Sequence, residues 1–194
     1  MSSAPTILAF AGSTRTHSLN KKLIAVAGAG ARAAGGMVEL IDLRDFPLPL
    51  YDGDLEAAEG LPPNAVKLKK LFESHRGLLI STPEYNGSVP GVLKNAIDWV
   101  SRSPDGQPSL ASFTGKVAAL VSAALGPVGG VRAQTHLRQI LGTINVILLP
   151  NQWRVPVATL ASFDEAGNLR DATAHKMAQD VGAALTRFLQ RLSD

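Results

Sequence analysis

The residues most able to do chemistry crowd into three short segments. The first, Gly12-Ser13-Thr14-Arg15-Thr16-His17-Ser18-Leu19-Asn20, follows a brief apolar run and packs four hydroxyls and an arginine into six positions. Where such a stretch opens a helix, unpaired N–H groups and the positive end of the dipole favour an anion. Hydroxyl donors and a fork-shaped guanidinium add to that preference. A plain helix start needs only one Ser or Thr, so the excess points to a bound phosphate. The segment contains neither G-x-G-x-x-G nor G-x-x-x-x-G-K-[ST], which disfavours a pyrophosphate turn and an ATPase loop. Several donors around one dianion suit a terminal monophosphate, for which flavin mononucleotide (FMN) is the candidate.

The second segment, Pro83-Glu84-Tyr85-Asn86-Gly87-Ser88-Val89-Pro90-Gly91, leads into Leu93, Ala96, Ile97 and Val100, an i, i+3, i+4, i+7 stripe. Two prolines and two glycines stiffen this turn and allow close approach to a flat ligand. Tyr85 would cover an aromatic ring, and the N–H groups of residues 85–87 would face its polar edge. The plainer alternative is a strand-to-helix turn plugged by Tyr85. Asp98 and Trp99 lie inside the following helix and read as packing and oligomer residues. The third segment, Ala124-Leu125-Gly126-Pro127-Val128-Gly129-Gly130, precedes Arg132, Gln134 and Arg138. A plain turn needs one glycine; three permit positive φ and backbone contact with a ligand.

Composition narrows the chemistry. The 194 residues include no cysteine, which excludes disulfide scaffolds, thiolate metal sites, iron–sulfur clusters and cysteine nucleophiles. Carboxylates are not clustered, and His17, His75, His136 and His175 are scattered. Each reads as a surface or structural residue, with His17 alone near the phosphate loop. The 19 basic residues barely exceed the 16 acidic ones. Lys67, Lys69 and Lys70 alternate with Leu68, Leu71 and Phe72, the solvated face of an amphipathic helix. Few aromatics are available to stack on bases, so nucleic acid is not an expected partner.

A membrane is not expected either. Residues 7–12 are apolar but short, with no basic region before them. The uncharged run 117–131 is broken by Gly126, Pro127, Gly129 and Gly130 and falls below the ~18 residues of a span. The expected location is cytoplasmic. Charged residues make up 18% of the chain, below the roughly 25% of soluble domains, so part of the surface is expected to be covered in an oligomer.

Two periodicities alternate along the chain and position the three segments. Thr6–Ala11, Met37–Asp42 and residues 77–82, 116–123 and 145–149 read as strands. Helical spacing runs from Leu19 through Leu23, Val26, Ala27 and Gly30, stopped at Gly35-Gly36. Further helices follow at Leu68–Leu71–Phe72–His75, at Leu93–Val100, at 131–141 and at Met177–Val181–Leu185–Phe188–Leu192. Residues 46–63, with Pro47, Pro49, Pro62 and Pro63, read as a loop, and FDEAGNLRD as a polar entry turning at Gly167-Asn168.

Five strands alternating with five helices, without repeats, describe one α/β domain over residues 1–194 with a parallel sheet. The strands are continuous apolar runs, as burial on both faces requires. Of the two competing strand orders, the dinucleotide-binding order and 2-1-3-4-5, five strands favour the second. Ligands of such sheets bind beyond the carboxyl ends of the strands, where the order reverses. The three segments follow strands one, three and four.

GSTRTHSLN, PEYNGSVPGVLKNAIDW and SAALGPVGGVRAQTHLRQIL together resemble the signature segments of the NAD(P)H-dependent FMN reductase family. The similarity continues in register through FDEAGNLRD to the final helix, and the middle segment is the most specific. The resemblance implies a flavodoxin-like three-layer sandwich, with a five-stranded parallel sheet in the order 2-1-3-4-5 and helices on both faces. It implies that Ser13, Arg15, Ser18 and Asn20 hold the FMN phosphate. Pro83, Glu84, Tyr85 and Asn86 would border the isoalloxazine, largely through backbone groups. Ser122 and the turn 126–130, with Gly126 and Gly129, would line its other side. That turn carries Leu125 and Pro127 where small residues or glycine are common in the family, so its ring contacts are the ones expected to differ.

The implied activity is ping-pong hydride transfer, carried by the flavin, from NADPH or NADH to free flavin, a quinone, an azo compound or a metal oxyanion. No residue is then needed as acid, base or nucleophile. The choice of nicotinamide would rest on an arginine reaching the ribose phosphate, and several arginines qualify. The main alternative is a flavodoxin-like electron carrier or redox module without NAD(P)H turnover. The net charge of +3 argues against it, because it favours phosphorylated ligands. A second alternative is a nucleotide sensor without flavin. The expected assembly is a homodimer or homotetramer, with residues 92–101 and the loop 46–63 as contact regions.

Overall fold

Short apolar runs bounded by glycine and proline form five parallel strands: β1 (Thr6–Ala11), β2 (Met37–Asp42), β3 (Gly77–Ser81), β4 (Val117–Ala123) and β5 (Ile147–Val155). They lie in the order β2-β1-β3-β4-β5. The computed structural model describes residues 4–103, 108 and 110–192. Between the strands run α1 (Leu19–Ala33), α2 (Gly53–Glu59), α3 (Pro63–Ser74), α4 (Gly91–Val100) and α5 (Val131–Thr143), and α6 (Ala172–Arg191) follows β5. Alternate strand residues face opposite layers, as the two-residue period dictates. Ile7, Ala9, Ala11 and Leu79 pack on α1 and α6, whereas Leu8, Phe10, Leu78 and Ile80 pack on α3, α4 and α5. This is the flavodoxin-like sandwich. Because Ala11 pairs with Ser81, and Ser81 with Val121, the loops after β1, β3 and β4 emerge level with one another. Among the described residues no helix is long and apolar enough to cross a membrane.

Several expectations are corrected. β2 is not buried on both faces: it is an edge strand, and Met37 is 61% exposed. β5 does not stop at Leu149 but continues to Val155. Pro150 lacks an N–H for the ladder, and the register against β4 shifts between Ala118 and Leu120, a bulge that accommodates it. The proline-rich stretch contains an additional helix, α2, which buries none of its residues. Periodicity misses it because it has no apolar face. It is held from outside, where Arg102 and Tyr51 both bond the Glu56 carboxylate. Lys69 is buried, not solvated: its ammonium bonds Ser112 Oγ (2.9 Å) and pairs with Glu73 (3.1 Å). Trp99 is likewise an interior residue, and its indole N–H donates to Pro49 O of the same chain (2.9 Å).

Candidate functional site

The first loop begins where Gly12 turns off β1. Its N–H donates to Ser81 O (2.9 Å), and a Cβ there would meet Leu93 Cδ2 at 2.8 Å, so any side chain at this turn would have to displace Leu93. Ser13 is buried, and its Oγ accepts from the Arg15 N–H (3.3 Å). Ser18 is the N-cap of α1 and is also buried, yet its hydroxyl makes no capping bond. α1 has no acidic residue in its first turn either. The N–H groups at the start of this 15-residue helix therefore lack both kinds of side-chain partner. Arg15 is exposed and joins no ion pair among the described residues. Asn20 is engaged differently: its Nδ2 donates to Ala123 O (2.8 Å), while its Oδ1 accepts from Ser81 Oγ (2.8 Å) and Ala123 N (3.0 Å). It clasps α1 to the ends of β3 and β4.

The end of β2 straps this loop, which sequence reasoning missed. Asp42 pairs with Lys21 in the first turn of α1 and accepts the Arg44 N–H (2.9 Å). Arg44 in turn donates to Thr14 O through Nε (2.8 Å) and Nη2. The available signal was charge directly after β2, the strand beside β1.

In the second loop, Tyr85 and Ser88 exchange both backbone hydrogen bonds (3.0 Å each) around Asn86 and Gly87. Both central residues have positive φ (+50° and +76°), the reason an Asn-Gly pair suits this turn. The Tyr85 N–H is therefore committed to Ser88 and does not face a ligand. Glu84 Oε2 accepts from the N–H groups of Arg132 (2.9 Å) and Ala133 (3.2 Å), and Oε1 from Arg132 Nη1 (3.2 Å). His136, read from the sequence as a surface or structural residue, bonds Ser88 Oγ through Nδ1 (2.9 Å).

In the third loop only Gly129 and Gly130 have positive φ, +63° and +88°. Gly126 faces open space, and its carbonyl accepts from Val157 N (3.1 Å). Ser122 is wholly buried and donates to Gly129 O (2.5 Å), so it supports the turn from beneath and does not line its surface.

The three loops enclose one cavity of about 360 Å³. Arg15, Ser18 and Asn20 line it from the first loop, Pro83, Glu84 and Tyr85 from the second, and Gly126, Pro127, Val128 and Arg132 from the third and the start of α5. Leu125, 73% exposed, stands at its edge. Of the expected residues, Ser13, Asn86, Ser122 and Gly129 fall outside the lining. Val128, within the expected turn 126–130, lines it, and Arg132 is added.

A family model described as NADPH-dependent FMN reductase matches residues 5–159. An NAD(P)H-dependent FMN reductase of Pseudomonas aeruginosa is 39% identical over 187 residues, covering 96% of each chain. A quinone reductase of Escherichia coli is 38% identical over 149 residues, 77% of this chain and 76% of that one. Among solved structures, the flavoenzyme NAD(P)H:(acceptor) oxidoreductase FerB of Paracoccus denitrificans superposes with a TM-score of 0.81 at 31% identity, covering 96% of this chain and 98% of the other. With its strand order, its three converging loops and this similarity along nearly its whole length, the chain belongs to the NADPH-dependent FMN reductase family.

Proposed function

We propose that the chain is an FMN-dependent oxidoreductase that uses NAD(P)H to reduce flavin, quinone or related acceptors, residues 1–194 acting as one domain. The observation that carries this reading is Ser18, a buried N-cap hydroxyl that caps nothing, beside an Arg15 without an ion pair among the described residues. These donors, with the open N–H groups of α1, suit the dianion of a terminal monophosphate, so the donor set fits FMN. Ser13 holds the Arg15 backbone, and Arg44 holds Thr14, so the phosphate loop is shaped before a ligand arrives. Asn20 acts here by position, keeping the loop level with β3 and β4.

Pro83, Glu84 and Tyr85 on one side and the turn from Gly126 on the other would border the ring. When bound, FMN supplies two-electron hydride chemistry between nicotinamide and acceptor. The chain's work is to bind, orient and shield. Glu84 is engaged with α5, so it holds the second loop against the third. The N–H groups of Asn86 and Gly87 are left over from the Tyr85–Ser88 pairing, but neither residue lines the cavity, so the ring border from this loop is Pro83, Glu84 and Tyr85.

Relatives named as FMN and quinone reductases support flavin and quinone as acceptors and disfavour the electron-carrier alternative. Azo compounds and metal oxyanions belong to the same proposed range. We place the protein in the cytoplasm as a homodimer or homotetramer, consistent with its low charged fraction and with exposed Leu50 in the proline-rich stretch.

The test is anaerobic titration of the FMN-loaded protein with NADPH and NADH, followed by quinone, azo dye or chromate. Bleaching of the flavin by a nicotinamide and recovery with quinone are expected, with parallel double-reciprocal plots. A yellow protein that neither nicotinamide reduces would identify a carrier, and failure to retain FMN would exclude both.

A further inference from the structure

The second loop reaches the three-loop cavity through Tyr85, the one aromatic side chain of its lining among the described residues. Tyr85 is 44% exposed, so no core packing seats it. It is tied instead to Ser88, with which it exchanges both backbone hydrogen bonds (3.0 Å each) around the left-handed Asn86 and Gly87. A small hairpin of this kind is only marginally stable by itself and needs support from outside. Because the N–H and the carbonyl of Ser88 both go to Tyr85, whatever holds Ser88 also holds Tyr85.

One face of α5 supplies that support. Arg132 and Ala133 stand four and three residues before His136, the spacing that aligns residues along one side of a helix. The N–H groups of the first two hold the Glu84 carboxylate, which fixes the entry to the turn. The Arg132 stem lies against its centre: a Cβ on Gly87 would be 3.5 Å from Arg132 Cδ. His136 completes the row at the exit, where its Nδ1 bonds Ser88 Oγ at 2.9 Å across 48 residues of sequence.

We propose that His136 is a positioning residue of this site, acting through Ser88 to set Tyr85 at the rim of the cavity. His136 lines no part of the cavity itself, so its effect on a ligand is exerted through the turn. The clasp is a property of the chain alone. Its consequence for FMN rests on the flavin-dependent reading given above: a turn held in place beforehand loses little freedom when a ring settles against Tyr85.

The experiment compares His136→Ala, His136→Asn, Ser88→Ala and the double alanine variant with the unaltered protein. Amide hydrogen exchange at Tyr85 and Ser88, followed by NMR without FMN, should quicken roughly 3- to 10-fold in either alanine variant, the effect of losing one hydrogen bond. FMN titration should show affinity falling by a similar factor, with altered visible circular dichroism of the bound flavin. The urea midpoint should not fall, because the contact is exposed and alanine is the better helix former. Asparagine places an amide where Nδ1 now stands and should return exchange and affinity to within about 2-fold of the unaltered protein. The double variant should lose no more than either single one, since both remove the same contact. Unchanged exchange at both residues, or losses that add in the double variant, would overturn the clasp whether or not flavin binds. A lowered urea midpoint with unaltered FMN affinity and dichroism would reduce His136 to an ordinary structural residue. Failure of the unaltered protein to retain FMN would sink the flavin reading, while quickened exchange would still uphold the clasp.

Discussion

The carboxylate of Glu84 caps a helix that begins 47 residues later, accepting the Arg132 N–H at 2.9 Å and its guanidinium at 3.2 Å. The N-cap residue of α5, Gly130, is left-handed and has no side chain to do this. Two of the three site loops are thereby joined through one side chain. Glu84→Ala should destabilise the protein by about 1–2 kcal/mol, the usual loss for a cap, and weaken FMN binding as the loops part. Glu84→Gln keeps an acceptor and should recover part of both. Urea unfolding and FMN titration of the apoprotein measure the two effects. Unchanged FMN affinity in the alanine variant would show that the loops hold their places independently.

Ser18→Ala separates binding from folding. Because the hydroxyl caps nothing, its loss should leave stability within about 0.5 kcal/mol. A hydrogen bond to a charged phosphate accounts for about 1.5–3 kcal/mol, so FMN affinity should fall roughly 10- to 100-fold. Arg15→Gln should add to that loss and reduce its dependence on salt. A destabilised Ser18→Ala protein with normal FMN affinity would return Ser18 to an ordinary cap.

Asn20 should behave in the opposite way. Asn20→Asp places a carboxylate oxygen where an amide N–H now meets Ala123 O at 2.8 Å, in a residue that is 3% exposed. The expected loss is about 3 kcal/mol or more, since a buried charge is left facing a carbonyl. Chemical denaturation at pH 7 is the measurement, and a loss below about 1 kcal/mol would contradict the clasp.

Far from the site, α1 and α6 touch through glycine. A Cβ on Gly182 would lie 2.0 Å from Ala27 O, and one on Gly30 2.1 Å from Gln179 O. Backbone cannot yield as a flexible side chain does, so Gly182→Ala should cost about 3 kcal/mol, the upper end of overpacking penalties. Thermal unfolding compared with Gly142→Ala, where a Cβ meets nothing, isolates the effect.

Much of the fold was legible because strand patterns are local. Thr6–Ala11 and Met37–Asp42 are strands with the boundaries that their apolar runs suggest. α2 was not, because Gly53–Glu59 turns no apolar stripe toward a core and depends on Arg102 and Tyr51 for its place. The second half of β5 was hidden behind Pro150, which reads as a stop until the bulge against β4 accommodates it. Lys69 looked solvated because its partner, Ser112, arrives from a distant part of the chain.

By itself, the sequence determined the alternation of strands and helices, the parallel sheet they must form, and the three loops where a phosphate and a flat ring would meet the chain. Hydrophobic periodicity and turn chemistry act over a few residues, so they survive reading without coordinates. Tertiary structure alone decided which side chains of those loops remain free. Asn20 and Glu84 carry donors and acceptors suited to a ligand, yet each is engaged by backbone 103 and 48 residues away. Ser18, the ordinary cap of a helix by its sequence, keeps its hydroxyl out of the helix. Those outcomes depend on how closely β1, β3 and β4 bring their ends together. Hydrogen-bond partners are chosen by distance in the packed sheet, which spacing along the chain does not specify.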